Sequence, residues 1–289
     1  MRQEIVKKIP GDLQSRLGFS EYSSKVNALD VAGKCVDLEM SAYQLSGDLS
    51  INFPENIDSK TREAVRLFNT DNSLRLHYHA PTDIPLASRH EPLRMGGINR
   101  LFEFIELAAD MGAESFIFHP GRFAYYKIGS GKVVMSGITI PDIYFQRFYD
   151  SAKRLVDKSA GRLEILLENT YDFSEQLINI VDKFLELPST GLVWDIGHMQ
   201  RSMMLSQSRN IDPMPIAEFF SARIRKIRLA HLHDIDGTKG HLPLGTGKLK
   251  LQSHLEILSN LDIDMIIEVF SENDLKTSIK FIESITGDN

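Results

Sequence analysis

A single cysteine, Cys35, is all the thiol chemistry in this 289-residue chain. One thiol closes no intrachain disulfide, so no covalent staple is expected and a reducing, cytoplasmic compartment is. Long apolar runs are also missing. No stretch of about 18 apolar residues could span a bilayer, and no apolar segment follows the basic start as a secretory leader would. A soluble protein with no membrane partner is expected. Basic excess is absent too: 33 Lys and Arg against 39 Asp and Glu leave a formal charge of −6. That removes a global field for nucleic acid, although a local patch would suffice for binding. Finally, there is no GxGxxG phosphate loop after the first strand, which weighs against an open, doubly wound sheet. The lone tryptophan, Trp194, reads as a packing residue.

What remains is an ordinary globular composition, 42% hydrophobic and 25% charged. No linker-like or low-complexity tract divides the chain, so it reads as a single domain over residues 1–289. Short apolar runs alternate with longer amphipathic ones. Strands are expected at Leu17–Ser20, Val36–Met40, Leu74–Ala80, Ser115–His119, Leu163–Asn169, Gly191–Ile196, Ile227–His233 and Met265–Phe270. Helices are expected at Ser23–Ala32, Thr61–Asn69, Ile98–Met111, Pro141–Ser159, Ser174–Leu187, Pro215–Arg223, Gln252–Ser259 and Glu272–Ser284. The Ile98–Met111 segment repeats apolar residues at 98, 101, 102, 105, 108 and 109, the stripe of a packed helix. Eight such alternations predict an α/β fold, a (β/α)8 TIM barrel.

In a barrel the C-terminal ends of the strands converge on one mouth, where chemistry collects. Those ends carry Glu39, His79, His119, Glu168, Asp195, His231 and Glu268. Buried acids without a counter-charge are costly, and a divalent cation such as Zn²⁺ or Mn²⁺ is the simplest remedy. Glu168 follows a Leu-rich run with no salt partner in sight, and Asp195 sits between Trp194 and Ile196. His198 follows Gly197, which permits a turn back toward Asp195. His231 and His233 point to the same side of their strand, because side chains alternate with period two. Glu39 reads equally as a substrate contact or a structural ion pair. His77 reads as a hydrogen-bonded core histidine, and His90 and His254 as surface residues.

Taken together, HYHAP, FHPG, ENTYDF, WDIGH, HLHDIDG with GHLPLGTG, and IIEVF resemble the xylose isomerase-like barrel superfamily. That superfamily includes sugar (phosphate) isomerases and epimerases and the endonuclease IV class of apurinic-site endonucleases. The resemblance implies a metal site at His79, His119 and Glu168. It implies a second at Glu168, Asp195, His231 and Glu268. A third would need His198, His241 and an aspartate two residues before His241. That position is Lys239, whose ammonium repels a dication. One to two ions are therefore expected, with the third site lost or weakened.

The four-residue set alone serves the superfamily's sugar epimerases, and the motif wording favours them. On that reading an ion chelates a carbonyl and a neighbouring hydroxyl, and the adjacent C–H is acidified toward an enediolate. Glu168 and Glu268 exchange the proton, while His198, Lys239, Glu39 and Arg122 contact a sugar or sugar phosphate. The alternative is an endonuclease IV-like, zinc-dependent phosphoesterase, for which nucleic acid is the partner. There the loop over residues 121–140, with Arg122, Lys127 and Lys132, would grip a backbone; it could equally close over a sugar. A barrel that binds metal without catalysis is a third class. A homodimer through exposed helix faces is compatible with any of them.

Overall fold

The computed structural model describes residues 11–120, 125–128, 131–134, 141–170, 175–208, 212–237 and 239–286. Along the chain the strands are β1 (Leu17–Glu21), β2 (Ala42–Ser46), β3 (Arg75–His79), β4 (Ser115–Phe118), β5 (Tyr125–Ile128), β6 (Gly131–Val134), β7 (Glu164–Glu168) and β8 (Thr190–Asp195). They continue with β9 (Ile227–Leu232), β10 (Asp234–Asp236), β11 (Lys239–Leu242) and β12 (Asp264–Ile267). Two pairs, β5–β6 and β10–β11, are antiparallel hairpins. The other eight close into one parallel barrel in the order β1-β2-β3-β4-β7-β8-β9-β12, with β12 returning to β1. The helices are α1 (Ala28–Asp37), α2 (Ser59–Asn72), α3 (Glu91–Asp110), α4 (Pro141–Ser159), α5 (Glu175–Phe184), α6 (Ile196–Ser208), α7 (Met214–Ala222), α8 (Leu251–Ser259) and α9 (Glu272–Thr286). None of the described helices is long and apolar enough to cross a membrane.

The strands are buried on both faces because helices cover the outside and side chains fill the inside. Ala42, Ile117, Leu166, Val193, Leu229 and Ile266 form a small apolar cluster of their own. These are the inward residues at mid-barrel, packed as a layer. Period-two alternation then dictates what comes two residues later on each strand: Gln44, His119, Glu168, Asp195, His231 and Glu268. A closed apolar layer thus carries a polar layer directly above it.

The barrel expected from the sequence is present, with two departures. The run from Val36 to Met40 is not a strand. Buried Ala28, Val31, Ala32 and Cys35 lie at helical spacing, so α1 continues to Asp37, started by Asn27, whose Oδ1 accepts the Leu29 and Asp30 N–H groups. Glu39 then turns the chain at φ 53°, exposed to solvent, before β2 begins at Ala42. The expected strand-end position of Glu39 is therefore corrected: it precedes β2, at the opposite end of the barrel from the mouth. Between β8 and β9 the chain also makes two helices, α6 and α7, where one was expected. Of the segment 121–140, only the β5–β6 hairpin is described; Arg122 lies outside the described residues.

At the N-terminal end of the barrel a separate polar network ties β3, β4 and β12. Arg75 grips Asp264 with two nitrogens, Nε at 2.7 Å and Nη2 at 2.6 Å. His77 spans from Ser115 Oγ, 2.8 Å, to Asp264 Oδ2, 2.9 Å, as a core histidine should. Burial works to raise the Asp264 carboxyl, but the bonds from His77 and Arg75 outweigh it and hold it below its ordinary range. A depressed carboxyl stabilises the fold above its unfolded value, near 3.9, and loses that contribution as pH falls through the folded value. Asp264→Asn should therefore destabilise the protein at pH 7. The expected loss is about 2–3 kcal/mol in urea unfolding, below that of a fully buried pair because Arg75 keeps contact with water. The difference from the unsubstituted protein should shrink as the pH falls below about 4.

Candidate metal centre

Glu168 lies at the middle of the mouth and is 1% exposed. Its Oε2 is 3.0 Å from His79 Nε2, 3.1 Å from His119 Nε2 and 3.1 Å from His231 Nδ1. Its Oε1 is 3.4 Å from His198 Nδ1. Asp195 faces His233 Nε2 at 3.1 Å and His198 Nδ1 at 3.6 Å. Glu268 faces His231 Nδ1 at 3.5 Å and His241 Nδ1 at 3.9 Å. Three adjoining groups result, each with ligand atoms within 4.8 Å of one another: His79, His119 and Glu168; Glu168, Asp195, His231 and Glu268; and His198, His233 and His241.

These short distances are not all hydrogen bonds. His119 Nε2, His231 Nδ1, His233 Nε2 and Asp195 Oδ2 are buried with no hydrogen-bond partner, despite carboxylate or imidazole neighbours a few ångströms away. Such atoms are expensive to leave unsatisfied. Donor atoms that crowd together without bonding each other are what a shared cation requires, and N and O donors suit a borderline divalent ion. At least one such atom occurs in each group. A fourth cluster, His77, Glu114 and Asp264, lies at the other end of the barrel, and there the Arg75 guanidinium already supplies the cation.

Outer hydrogen bonds set the imidazole tautomers. His79 Nδ1 sits 2.8 Å from the Ala80 carbonyl, which leaves Nε2 facing Glu168. His231 is held the other way round: Nε2 meets Gln44 Oε1 at 2.8 Å and leaves Nδ1 for the centre. The same Gln44 donates from Nε2 to Glu268 Oε1 at 2.7 Å. Asn169 bridges neighbouring strand ends, donating to the Asp195 carbonyl and accepting the Asp195 N–H. Asp234, 1% exposed, accepts N–H groups from Ile235, Gly245, Gly247 and Leu249, folding the loop that follows His241.

Charge is balanced internally. Burial works to raise the Glu168 carboxyl, but the surrounding histidines, His231 and His119 first, push it well below its usual range. Asp195 is lowered likewise against its burial by His198 and His233. Burial alone would lower His231 and His198, but Glu268 and Glu168 for the first and Asp195 and Glu168 for the second push each up to about 9.

The mouth thus gathers His79, His119, Glu168, Asp195, His198, His231, His241 and Glu268, every strand-end ligand candidate except Glu39. Lys239 is on β11, exposed, and joins none of the three groups. Sequence reasoning misses Gln44, because Val36–Met40 reads as the second strand and β2 lies at Ala42–Ser46. It also left His233 uncounted, although period two put it beside His231. The centre opens into a cavity of ≈ 160 Å³ whose lining includes Tyr22, Ser46, Asp48, Thr82 and Phe270.

A closed parallel barrel with buried imidazoles and carboxylates at its C-terminal mouth is a design shared by a recognised class of enzymes. The sequence model of the xylose isomerase-like TIM barrel matches residues 33–285, and the chain belongs to that family. Curated protein sequences give no match. Among solved structures it is similar to a D-tagatose 3-epimerase-like protein: 19% identity, TM-score 0.69, covering 94% of this chain and 98% of that one. It is also similar to endonuclease IV from Thermus thermophilus, at 18% identity, TM-score 0.67, 93% of this chain and 98% of that one. An IOLI protein with a binding zinc atom gives 16% identity, TM-score 0.69, and 94% and 98% coverage. At these identities the likeness establishes the fold.

Because His198 and His231 are cations at pH 7 and metal ligands must be neutral, ion uptake should release about two protons or more at that pH. Calorimetry of zinc binding in buffers of different ionisation enthalpy measures the number. Affinity should rise with pH until these groups lose their protons near pH 9. In the same assay Gln44→Leu should weaken binding by about 10- to 100-fold, the usual effect of losing an outer partner.

Proposed function

We propose that this chain is a divalent-metal-dependent phosphoesterase whose ions are held on both sides of Glu168. One observation carries this reading: three imidazoles from three different strand ends lie within 3.0–3.1 Å of a single carboxylate oxygen. Glu168 thereby belongs to two ligand groups at once. Sugar isomerisation at a single ion would use only Glu168, Asp195, His231 and Glu268. It leaves His79 and His119 without a role. Paired ions are the arrangement suited to displacement at phosphorus.

When bound, the ions would polarise a phosphoryl oxygen and acidify a water molecule. The chain's own residues do the rest. Glu168, fixed by its neighbours, holds the two groups at a set separation. Gln44 holds Glu268 and His231 in register with each other. Ser46, Thr82 and Tyr22 supply hydroxyls along the cavity wall for orienting the ester. Burial, with the Glu268 charge nearby, pushes the Tyr22 phenol well above its ordinary range, so it stays a proton donor.

The isomerase reading has its own support in the completeness of the four-residue group and the small volume of the cavity. It needs Glu168 as an acid–base partner of Glu268, however. Glu168 is instead the carboxylate that His79, His119 and His231 all face. Hydrolysis of bis(p-nitrophenyl) phosphate, and incision of an abasic-site duplex, by zinc- or manganese-loaded protein test the proposal, with EDTA as control. Hydrolysis that EDTA abolishes, and that His79→Ala and His119→Ala each reduce by about 10²-fold or more, is the expected result. No hydrolysis, together with exchange of a ketose α-hydrogen with D₂O that both variants preserve, would establish the isomerase instead.

A further inference from the structure

Beside the metal cavity lies a second and larger one. The metal cavity, ≈ 160 Å³, is smaller than the roughly 300–1,000 Å³ of ordinary small-molecule sites, so it holds a reacting group and little else. The adjoining cavity, ≈ 420 Å³, lies within that range and shares Tyr22 and Phe270 with the first. We propose that it binds the polyhydroxylated alcohol portion of the substrate whose reacting phosphate lies at the metal centre. The identity of the reacting group rests on the phosphoesterase reading; the site itself rests on its own residues.

The site forms where β1 leaves the barrel. Ser20 turns inward, its Oγ accepting from Gln44 Nε2 at 3.2 Å. Glu21 must then face outward, toward Lys34 on α1, whose Nζ is 2.7 Å from Glu21 Oε2. Glu21 is 9% exposed, and its Oε1 accepts the Ser23 N–H at 2.9 Å. Each carboxylate oxygen keeps a lone pair to spare and the ammonium keeps further N–H groups, since neither side chain makes another hydrogen bond among the described residues. An acceptor and a donor side by side on one cavity wall suit a vicinal diol, whose hydroxyls both donate and accept. Glu272, at the rim, is paired in turn with Lys276 at 2.5 Å. Every charged side chain lining the cavity thus has its counter-charge, and a neutral polyol fits better than an ion. Val26, Val269 and Leu275 supply an apolar wall. Phe270, 61% exposed, meets Tyr22 edge to face at 5.0 Å and lies 4.9 Å from the His241 ring. The aromatic pair is therefore the threshold between the two cavities. Leaving a phenyl ring in water there costs free energy that the C–H groups of a chain crossing the threshold would recover.

Saturation-transfer NMR with erythritol as the probe, on zinc-loaded full-length protein, tests the site. Transfer to the erythritol protons is expected in the unsubstituted protein and should be lost in Lys34→Met. It should also be lost in Ser23→Trp, whose indole fills the cavity and leaves the Glu21–Lys34 pair in place; circular dichroism serves as the fold control for both. Hydrolysis of glyceryl p-nitrophenyl phosphate against its propyl analogue tests the link to the metal centre. The esters share a leaving group and differ only in hydroxyls, so kcat/KM should favour the glyceryl ester by about 10-fold or more, through KM. That ratio, read on one sample, should fall toward one in both variants. No transfer in the unsubstituted protein, or undiminished transfer in folded Ser23→Trp, would overturn the inference, as would hydrolysis of both esters at equal kcat/KM. Transfer that both variants lose, with hydrolysis of neither ester, would keep the polyol site and remove the phosphoesterase reading instead.

Discussion

Three carboxylates buried together set the terms for this structure. Glu168, Asp195 and Glu268 are each at most 3% exposed. Removing such charges from water costs several kcal/mol apiece after relaxation unless something positive accompanies them. The barrel surrounds them with imidazoles from its other strand ends. The match is incomplete in an informative way: several nitrogens stand near carboxylate oxygens without hydrogen-bond geometry. Cations between them would satisfy lone pairs and charge at the same time. A purely structural ion-pair network would have no reason to leave those atoms misaligned.

Strand alternation makes the crowding achievable. An apolar layer at mid-barrel fixes the inward face of each strand, and the residue two places further must then project into the mouth. Precision comes from outside the centre. Gln44 holds Glu268 with one end of its amide and His231 with the other. Asn169 locks β7 to β8, backbone carbonyls orient His79, His198 and His241, and the His241 N–H donates to His233 Nδ1. The opposite end of the barrel uses the same strands for another purpose. There Arg75, His77, Ser115 and Asp264 form a hydrogen-bonded network in which both Asp264 oxygens and both His77 nitrogens find partners. One end pairs its buried polar atoms; the other leaves several of them without a hydrogen bond.

Much of this was legible in the sequence, for a physical reason. Strands β3, β4, β7, β8, β9 and β12 each end an apolar run with an acid or imidazole, so the boundary between core and mouth is written as a change of polarity. The second strand was not legible. Val36-Asp37-Leu38-Glu39-Met40 alternates like a strand, while the helical stripe through Val31 and Cys35 is the weaker pattern. That slip put Glu39 in the site and hid Gln44, an uncharged residue with no motif to announce it. His233 is near His231 in sequence, but only the fold of the β10–β11 hairpin shows that it meets His241 and His198.

The most direct measurement is an anomalous difference map from crystals of the zinc-loaded protein, recorded at the zinc edge. The account predicts a peak on each side of the Glu168 carboxylate, one against His79 and His119 and one against Asp195, His231 and Glu268. A map with no anomalous density next to Glu168, and with His79, His119 and His231 simply hydrogen-bonded to it, would contradict the central claim.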